Sequence, residues 1–113
     1  MAEQSCIFCK IIQKEVPAKF IDENEHCIVI EDIAPKAPIH YLIIPKKHII
    51  NIHDLQPEDA HVMGELALAA KKIAHKLSEP KAFGLIMNNG PEAGQSVMHM
   101  HTHFLSGAKM TDL

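Results

Sequence analysis

The apolar residues of this 113-residue chain form several short runs and one long amphipathic segment, and that imbalance restricts the possible folds. Pro57 begins the long segment and Pro80 follows it, while apolar residues recur between them at the three- and four-residue spacing of a helix face. The apolar stripe consists of Val62, Leu66, Ala69, Ile73 and Leu77. Parallel doubly wound sheets need a helix in almost every crossover, so one long helix predicts a mostly antiparallel α+β domain.

Short apolar runs bounded by polar residues, proline or glycine predict the strands of this sheet. They cover residues 19–21, 27–30, 40–44, 83–87 and 98–105. A short helix is predicted over residues 6–12, with Ser5 as its N-cap. No repeat or linker divides the sequence, so we expect a single domain over residues 1–113. The predicted architecture is a five-stranded, mostly antiparallel sheet with one long and one short helix.

Composition and the first residues of the chain indicate which partners and which cellular location to expect. No apolar run approaches the roughly 20 residues that a membrane-spanning helix needs, so we expect a soluble protein without a membrane partner. The net charge of −3 argues against nucleic acid as the main partner. The first five residues lack the basic and apolar parts of a secretory signal, which predicts a cytoplasmic location.

Three histidines alternate with other residues between His99 and His103. Because neighbouring side chains of a strand point to opposite faces, the imidazoles of His99, His101 and His103 are predicted to share one face. The residues predicted to face a core are Met98, Met100 and Phe104. Successive imidazoles would stand about 6.6 Å apart at Cα, which suits a row along an extended ligand better than three ligands of one metal. A polar strand face without a ligand is the simpler alternative.

The loop that leads to this row is rich in glycine and in polar side chains. Gly90 and Gly94 permit backbone conformations that can point successive N–H groups at an anion, and Gln95 and Ser96 add side-chain donors. The loop therefore predicts a phosphate-binding segment, although many such loops are only turns.

Cys6 and Cys9 lie three residues apart, so both thiolates can reach one tetrahedral Zn²⁺ from a single helical turn. Two further ligands are needed, and His48 and one end of the histidine row are the candidates. A redox pair or chance spacing is the alternative interpretation. Cys27 lies inside an apolar run and is predicted to be a buried packing residue.

Together these motifs resemble the histidine triad (HIT) superfamily, in the Hint branch of histidine triad nucleotide-binding proteins. The matching segments are Ile7 to Ile12, Val16 to Ala18, Ala37 to His40, Ile43 to His48, Gly94 to Ser96 and His99 to Leu105. The resemblance implies a homodimer that joins two five-stranded sheets. It also implies hydrolysis at the α-phosphate of purine nucleotide conjugates, with nucleoside phosphoramidates as the favoured substrates.

The resemblance also implies roles for individual residues. His101 would be the nucleophile that takes the nucleotidyl group, with His103 near the phosphate, Ser96 near the leaving group and His40 supporting the row. Asp32 would hold the ribose hydroxyls. The base and sugar pocket would include Val16, Ile30 and Ile33, and the phosphate side Asn88, Gly94 and Gln95. A structural zinc would be held by Cys6, Cys9, His48 and His99.

Two other functions remain open on these residues. The histidine row could hold a catalytic zinc with an open coordination position, which would make the protein a metal-dependent hydrolase. The protein could also bind nucleotides as a sensor or partner protein without turnover. Activity after chelation separates a histidine nucleophile from a catalytic metal, and turnover of an adenosine phosphoramidate separates an enzyme from a sensor.

Overall fold

The computed structural model describes residues 5–109. In this range the strands are β1 (Phe20–Glu23), β2 (Cys27–Glu31), β3 (Ile39–Pro45), β4 (Phe83–Ile86) and β5 (Thr102–Ser106), and the α-helices are α1 (Ile7–Ile12) and α2 (Ala60–Ala74). Short 3₁₀ turns lie at Ile52–Asp54, Pro57–Asp59 and Pro91–Ala93. Residues 1–4, on which the predicted location mostly depends, and residues 110–113 of the expected domain lie outside the described part of the chain.

The strands form one sheet in the order β1-β2-β3-β5-β4, and every neighbouring pair is antiparallel. This arrangement confirms the predicted α+β class with a five-stranded antiparallel sheet. β5 lies between β3 and β4, so the segment that enters it approaches the interior of the sheet rather than an edge. No helix in residues 5–109 combines the length and apolar character needed to cross a membrane.

Each face of the sheet carries its own apolar cluster, as the alternation along β2 illustrates. Cys27 and Val29 belong to the cluster that packs against α2, whereas Ile28 and Ile30 belong to the cluster that includes α1. Cys27 is only 1% exposed, which confirms its predicted packing role, and burial raises the pKa of its thiol to about 11. The sheet therefore separates an α2 side from an α1 side.

The long helix buries the predicted stripe, since all five apolar positions are less than 10% exposed. Its end differs from the prediction, because α2 stops at Ala74 and not at Pro80. The backbone N–H groups of Lys76 and Leu77 bond to carbonyls three residues earlier, so the last turn tightens before the proline is reached. The first helix is capped by Cys6 and not by Ser5, because the Cys6 sulfur accepts the N–H of Cys9 at 3.2 Å.

The segment before β5 corrects a second prediction. β5 begins at Thr102, so His103 is the only one of the three triad histidines within a strand. The backbone ladder between β3 and β5 does not extend to the residues before Thr102. There the His99 ring donates to the Pro45 carbonyl at 2.8 Å. Met98 is 40% exposed and does not face a core, contrary to the prediction. Two residues do pack on the α2 side as predicted, Met100 and Phe104.

Candidate functional site

A cavity of about 460 Å³ opens on the α1 side of the sheet, within the size range of small-molecule sites. The predicted site residues that line it are Val16, Ile30, Asp32, Ile33, Ser96, His101 and His103. Ile33 is fully exposed, so a bound molecule could cover an apolar side chain that the protein alone leaves in water. The cavity thus joins the end of β2 to the start of β5.

His101 is held with one ring nitrogen directed toward the backbone. Its Nδ1 lies 2.8 Å from the carbonyl oxygen of His99, and a carbonyl only accepts, so Nδ1 carries a hydrogen. In the neutral ring Nε2 therefore carries the free lone pair. The ring of Phe8 packs edge-on against that of His101, with centroids 5.0 Å apart. An imidazole with a fixed tautomer and a free nitrogen in a cavity has the properties of a nucleophile.

His40 lies behind His103, and a backbone contact fixes its tautomer as well. The N–H of Lys36 donates to Nδ1 of His40 at 3.0 Å, so the hydrogen of the neutral ring is on Nε2. This Nε2 lies 2.9 Å from Nδ1 of His103 and 3.3 Å from a carboxylate oxygen of Asp32. Because His40 donates to Nδ1 of His103, the neutral His103 ring carries its hydrogen on Nε2. Of the two rings that line the cavity, His101 therefore has its lone pair on Nε2 and His103 has its hydrogen on Nε2.

Burial keeps both supporting rings neutral near pH 7. It lowers the pKa of His103 to about 4, and the neighbouring His101 and His40 rings act in the same direction. Burial also lowers the pKa of His40, although the charge of Asp32 opposes that shift. The neutral tautomers of His40 and His103 are therefore the relevant ones at physiological pH.

The glycine loop differs from the predicted phosphate-binding segment. Gly90 and Gly94 have the expected positive φ angles of 96° and 98°. Their backbone N–H groups, however, bond to Gln95 Oε1 and to the Pro91 carbonyl, so neither points at an anion. The N–H groups of Ala93 and Gln95 both bond to the carbonyl of Gly90. These four N–H groups close the loop on itself.

Gln95 is buried and serves as the internal support of that loop. Its amide nitrogen donates to the carbonyls of Ile50 and Val97, at 2.6 and 3.0 Å. Its amide oxygen accepts from the Asn51 side chain and from the Gly90 backbone. The side-chain amide of Gln95, which the sequence suggested as a phosphate donor, is thus engaged inside the protein. The predicted catalytic and nucleotide-binding residues that do not line the cavity are His40, Asn88, Gly94 and Gln95.

Asn88 also supports the loop, because its side-chain amide donates to the Ala93 carbonyl at 2.8 Å. A Cβ added to Gly94 would lie 3.4 Å from that amide nitrogen, in addition to the strain of the positive φ angle. Ser96 differs from these loop residues because it lines the cavity and is exposed. Ser96 is therefore the loop residue placed to contact a bound molecule.

Beside the cavity, two thiols and two imidazoles converge on one point. Nδ1 of His99 lies 3.3 and 3.5 Å from the sulfurs of Cys6 and Cys9, and 3.1 Å from Nδ1 of His48. The Cys9 sulfur lies 3.3 Å from the same His48 nitrogen. In a tetrahedral zinc site neighbouring ligand atoms lie roughly 3.3–3.8 Å apart, so shifts of a few tenths of an ångström would admit the ion.

The protonation of this cluster also suits a metal. The Nε2 hydrogen of His99 is held by the Pro45 carbonyl, which leaves the Nδ1 lone pair directed at the thiols. Burial lowers the pKa of His99 to about 4 and raises that of the Cys6 thiol. A divalent cation would stabilise the thiolates that burial disfavours. The four side chains can therefore hold a metal ion.

Sequence reasoning missed Phe8, which lies between the two cysteines and contacts the rings of both His99 and His101. Its apolar neighbours Ile7 and Ile11 on α1 also line the cavity, together with Leu42 and Val97. The amphipathic pattern of the short helix was the available signal, because Phe8 and Ile11 are its buried apolar positions.

Comparisons with known proteins agree with this geometry. Residues 13–110 match the HIT domain family. An uncharacterized HIT-like protein from Synechocystis sp. is 44% identical over 107 residues, which cover 95% of this chain and 93% of the relative. A HIT family hydrolase from Clostridium thermocellum has a TM-score of 0.93 and 42% identity, with 99% of this chain and 98% of that chain covered.

A Zn-bound histidine triad family protein from Mycobacterium smegmatis is also similar, with a TM-score of 0.80 and 33% identity. The match covers 96% of this chain and 79% of that one. The family match spans most of the sequence, and the Synechocystis and Clostridium relatives are each covered over more than 90% of their own length. This chain belongs to the HIT domain family.

Proposed function

We propose that the protein hydrolyses the bond between the α-phosphorus and its leaving group in purine nucleoside phosphoramidates or related nucleotide conjugates. The observation that carries this proposal is the fixed tautomer of His101, whose Nε2 lone pair belongs to a ring that lines the cavity. Hydrolase activity is also supported by the similarity to a HIT family hydrolase, whereas the substrate class rests on the Hint resemblance.

The reaction would proceed in two displacements. Nε2 of His101 forms a bond to phosphorus while the phosphorus–nitrogen bond breaks, and the departing nitrogen keeps the electron pair and takes up one proton. Ser96 would donate a hydrogen bond to that nitrogen, with the proton supplied finally by solvent. Water then attacks phosphorus and releases one proton to solvent, the bond to His101 breaks, and the ring regains its lone pair while a nucleoside monophosphate leaves. The Nε2 hydrogen of His103 would stabilise the phosphate oxygens.

Substrate recognition would use the remaining walls of the cavity. Val16, Ile30 and Ile33 would contact the base and sugar, and the carboxylate of Asp32 would accept hydrogen bonds from the ribose hydroxyls. One Asp32 oxygen accepts the Ala34 N–H at 2.8 Å, which orients the carboxylate at the end of β2. We propose no direct phosphate contact from the side chain of Gln95, because its donors are engaged. Asn88 and Gly94 would act through the shape of the loop.

We further propose that Cys6, Cys9, His48 and His99 hold one structural zinc ion. The donor set, the short distances between ligand atoms and the Zn-bound relative support this proposal. Four protein ligands would close the coordination sphere, so the metal would stabilise the fold without activating water. Free thiols at Cys6, Cys9 and Cys27 also fit a reducing, cytoplasmic compartment.

A homodimer is the proposed assembly, and the outer edge of β4 supports it. This strand pairs with β5 on one side only and exposes 38% of Phe83 and 45% of Leu85, and large exposed apolar side chains are unusual on an edge strand. Pairing of β4 with its copy would cover these side chains and join two sheets. A molar mass measurement in solution tests the assembly.

Turnover of adenosine 5′-phosphoramidate tests the enzymatic proposal directly. We expect release of adenosine monophosphate, and activity that persists after chelation wherever the fold survives. A metal-dependent hydrolase would lose activity in proportion to metal loss at constant fold. Tight binding of adenosine monophosphate without turnover would instead support a nucleotide sensor.

A further inference from the structure

A second cavity of about 360 Å³ lies beside the first and reaches the metal cluster. The two cavities share Ile7, Ser96 and Val97 as lining residues. The described residues that line the second cavity also include two of the four proposed zinc ligands, Cys6 and His48. None of the four lines the first cavity, where the nucleotide is proposed to bind. Solvent therefore meets the metal cluster from the second cavity and not from the first.

The walls of the second cavity suit a small polar molecule. Half of its eight described lining residues carry a hydroxyl, a thiol or an imidazole, and these residues are Ser5, Cys6, His48 and Ser96. None of the eight is Asp, Glu, Lys or Arg, so no fixed charge in the described lining repels an anionic or a cationic molecule. A molecule with nitrogen, oxygen or sulfur donor atoms can therefore enter close to the cluster.

His48 is held less firmly than the other imidazole of the cluster. His99 donates its Nε2 hydrogen to the Pro45 carbonyl, whereas Nε2 of His48 has no hydrogen-bond partner within residues 5–109. No buried side-chain nitrogen or oxygen in that range lacks a partner, so Nε2 of His48 contacts solvent. His48 is also the one half-buried member of the cluster. A bond from the far nitrogen fixes a metal-binding imidazole, so His48 can turn away more easily than His99.

We propose that the second cavity admits a small chelating molecule to the zinc ion, and that His48 is the ligand displaced first. A donor atom of the chelator would form a bond to zinc while the bond from Nδ1 of His48 breaks, and the imidazole keeps its electron pair. No oxidation or reduction is involved. Loading of the ion would follow the same path in reverse. This proposal rests on the proposed structural zinc and is independent of the proposed hydrolase activity.

The rate of zinc removal tests whether a chelator takes part in the step. Zinc-loaded protein would be mixed with excess 4-(2-pyridylazo)resorcinol, whose absorbance reports the transferred metal. We expect the rate constant to rise in proportion to the chelator concentration, because the incoming donor atom displaces His48. A rate constant that does not depend on chelator concentration would show that zinc leaves before the chelator arrives, and would overturn the proposal.

Tryptophan substitutions locate the path. Met98→Trp and Ile50→Trp add bulk to exposed walls of the second cavity. They should slow zinc removal by at least roughly tenfold, which corresponds to about 1.4 kcal/mol in the barrier. Ile52→Trp is the matched control, because Ile52 is 45% exposed in the same segment but does not line the cavity. Lys19→Trp adds the same bulk to the first cavity only. Equal rates in all four variants would overturn the proposed path.

The equilibrium affinity for zinc separates a blocked path from a damaged site. A blocked path slows loading and removal by the same factor, so Met98→Trp and Ile50→Trp should bind zinc as tightly as the wild type. Weaker binding with an unchanged loading rate would show displaced ligands and contradict the path. A wild type that binds no zinc would refute the metal site and the path together. Turnover of the phosphoramidate by the wild type reports the proposed hydrolase function separately.

Discussion

Two clusters of chemically active side chains lie on either side of His101 and differ in where their hydrogens point. The first consists of Cys6, Cys9, His48 and His99, and the second of Asp32, His40 and His103. In each cluster the potential ligand atoms lie within 4.8 Å of one another, so distance alone does not distinguish them. Each cluster contains an imidazole whose far nitrogen bonds to the backbone.

That backbone partner is the decisive difference. The Pro45 carbonyl takes the hydrogen of His99, so a lone pair of this ring points into the first cluster. The Lys36 N–H occupies the lone pair of His40, so a hydrogen points into the second cluster. A cation is attracted by the lone pair of His99 and repelled by the hydrogen of His40. We infer that the first cluster suits a metal and the second a hydrogen-bond network that orients His103.

Loss of either cysteine should produce the largest effect on the first cluster. We expect Cys6→Ser and Cys9→Ser to lose bound zinc and to melt well below the wild type, because metal-binding energy is folding energy in such sites. Elemental analysis and thermal unfolding measure both results. Cys27→Ala is the matched control, since it removes a buried thiol without touching the cluster. Zinc retained at one ion per chain in both serine variants would contradict the proposed ligand set.

A substitution in the second cluster should lower activity without loss of zinc. His40→Ala is expected to keep one zinc per chain while kcat falls by roughly 10²-fold, because the proton position on His103 is no longer fixed. Zinc content and steady-state kinetics on one preparation measure the two effects. A wild-type stoichiometry of two zinc ions, reduced to one by His40→Ala, would show that the second cluster is also a metal site.

Asp32 belongs to the second cluster and also lies at the proposed ribose site, so its substitution tests a binding role for that cluster. Removal of the 2′ and 3′ hydroxyls of adenosine monophosphate should weaken binding by roughly 1.5–3 kcal/mol in the wild type. The penalty should shrink in Asp32→Ala, as calorimetry can determine. Equal penalties in the two proteins would place the ribose away from Asp32.

The smallest expected effect is a change in the pH dependence of stability. Burial holds the pKa of His103 near 4, below the ordinary value of 6.5, so the unfolded chain binds more protons between these values. The free energy of unfolding should therefore fall as the pH drops from about 6.5 toward 4. Urea unfolding of zinc-loaded wild type and His103→Gln should show a shallower fall in the variant. Parallel curves would show that His103 does not contribute.

The sheet could be predicted from the sequence because local patterns specify it. Residues 27–30 alternate between two apolar clusters, and the stripe of α2 follows helical spacing, so neither depends on a distant contact for recognition. The start of β5 could not be predicted in this way. Just before β5 the His99 ring bonds to the Pro45 carbonyl, a contact between residues 54 positions apart.

The candidate site was predictable only where residue type limits the chemistry. The cysteine spacing indicated a metal, with His48 and one end of the histidine row as candidate ligands, and the resemblance specified His99 as that end. Gln95 is a residue whose predicted role was wrong. As a polar residue in a glycine loop it suggested a hydrogen-bond donor to a ligand. In the fold its side-chain amide bonds to internal partners instead, including Asn51, which lies 44 residues earlier in the sequence. Such long-range hydrogen bonds are invisible in a single sequence.

The central claim is that Nε2 of His101 becomes covalently bound to the nucleotide, and trapping the intermediate tests it most directly. Adenosine phosphoramidate labelled at phosphorus would be mixed with wild type and with His101→Ala, quenched within milliseconds and digested for mass spectrometry. We expect label approaching one nucleotide per site on the wild-type peptide that contains His101, and none on the variant. Turnover by the wild type without a labelled His101, or near-normal turnover by His101→Ala, would contradict the claim.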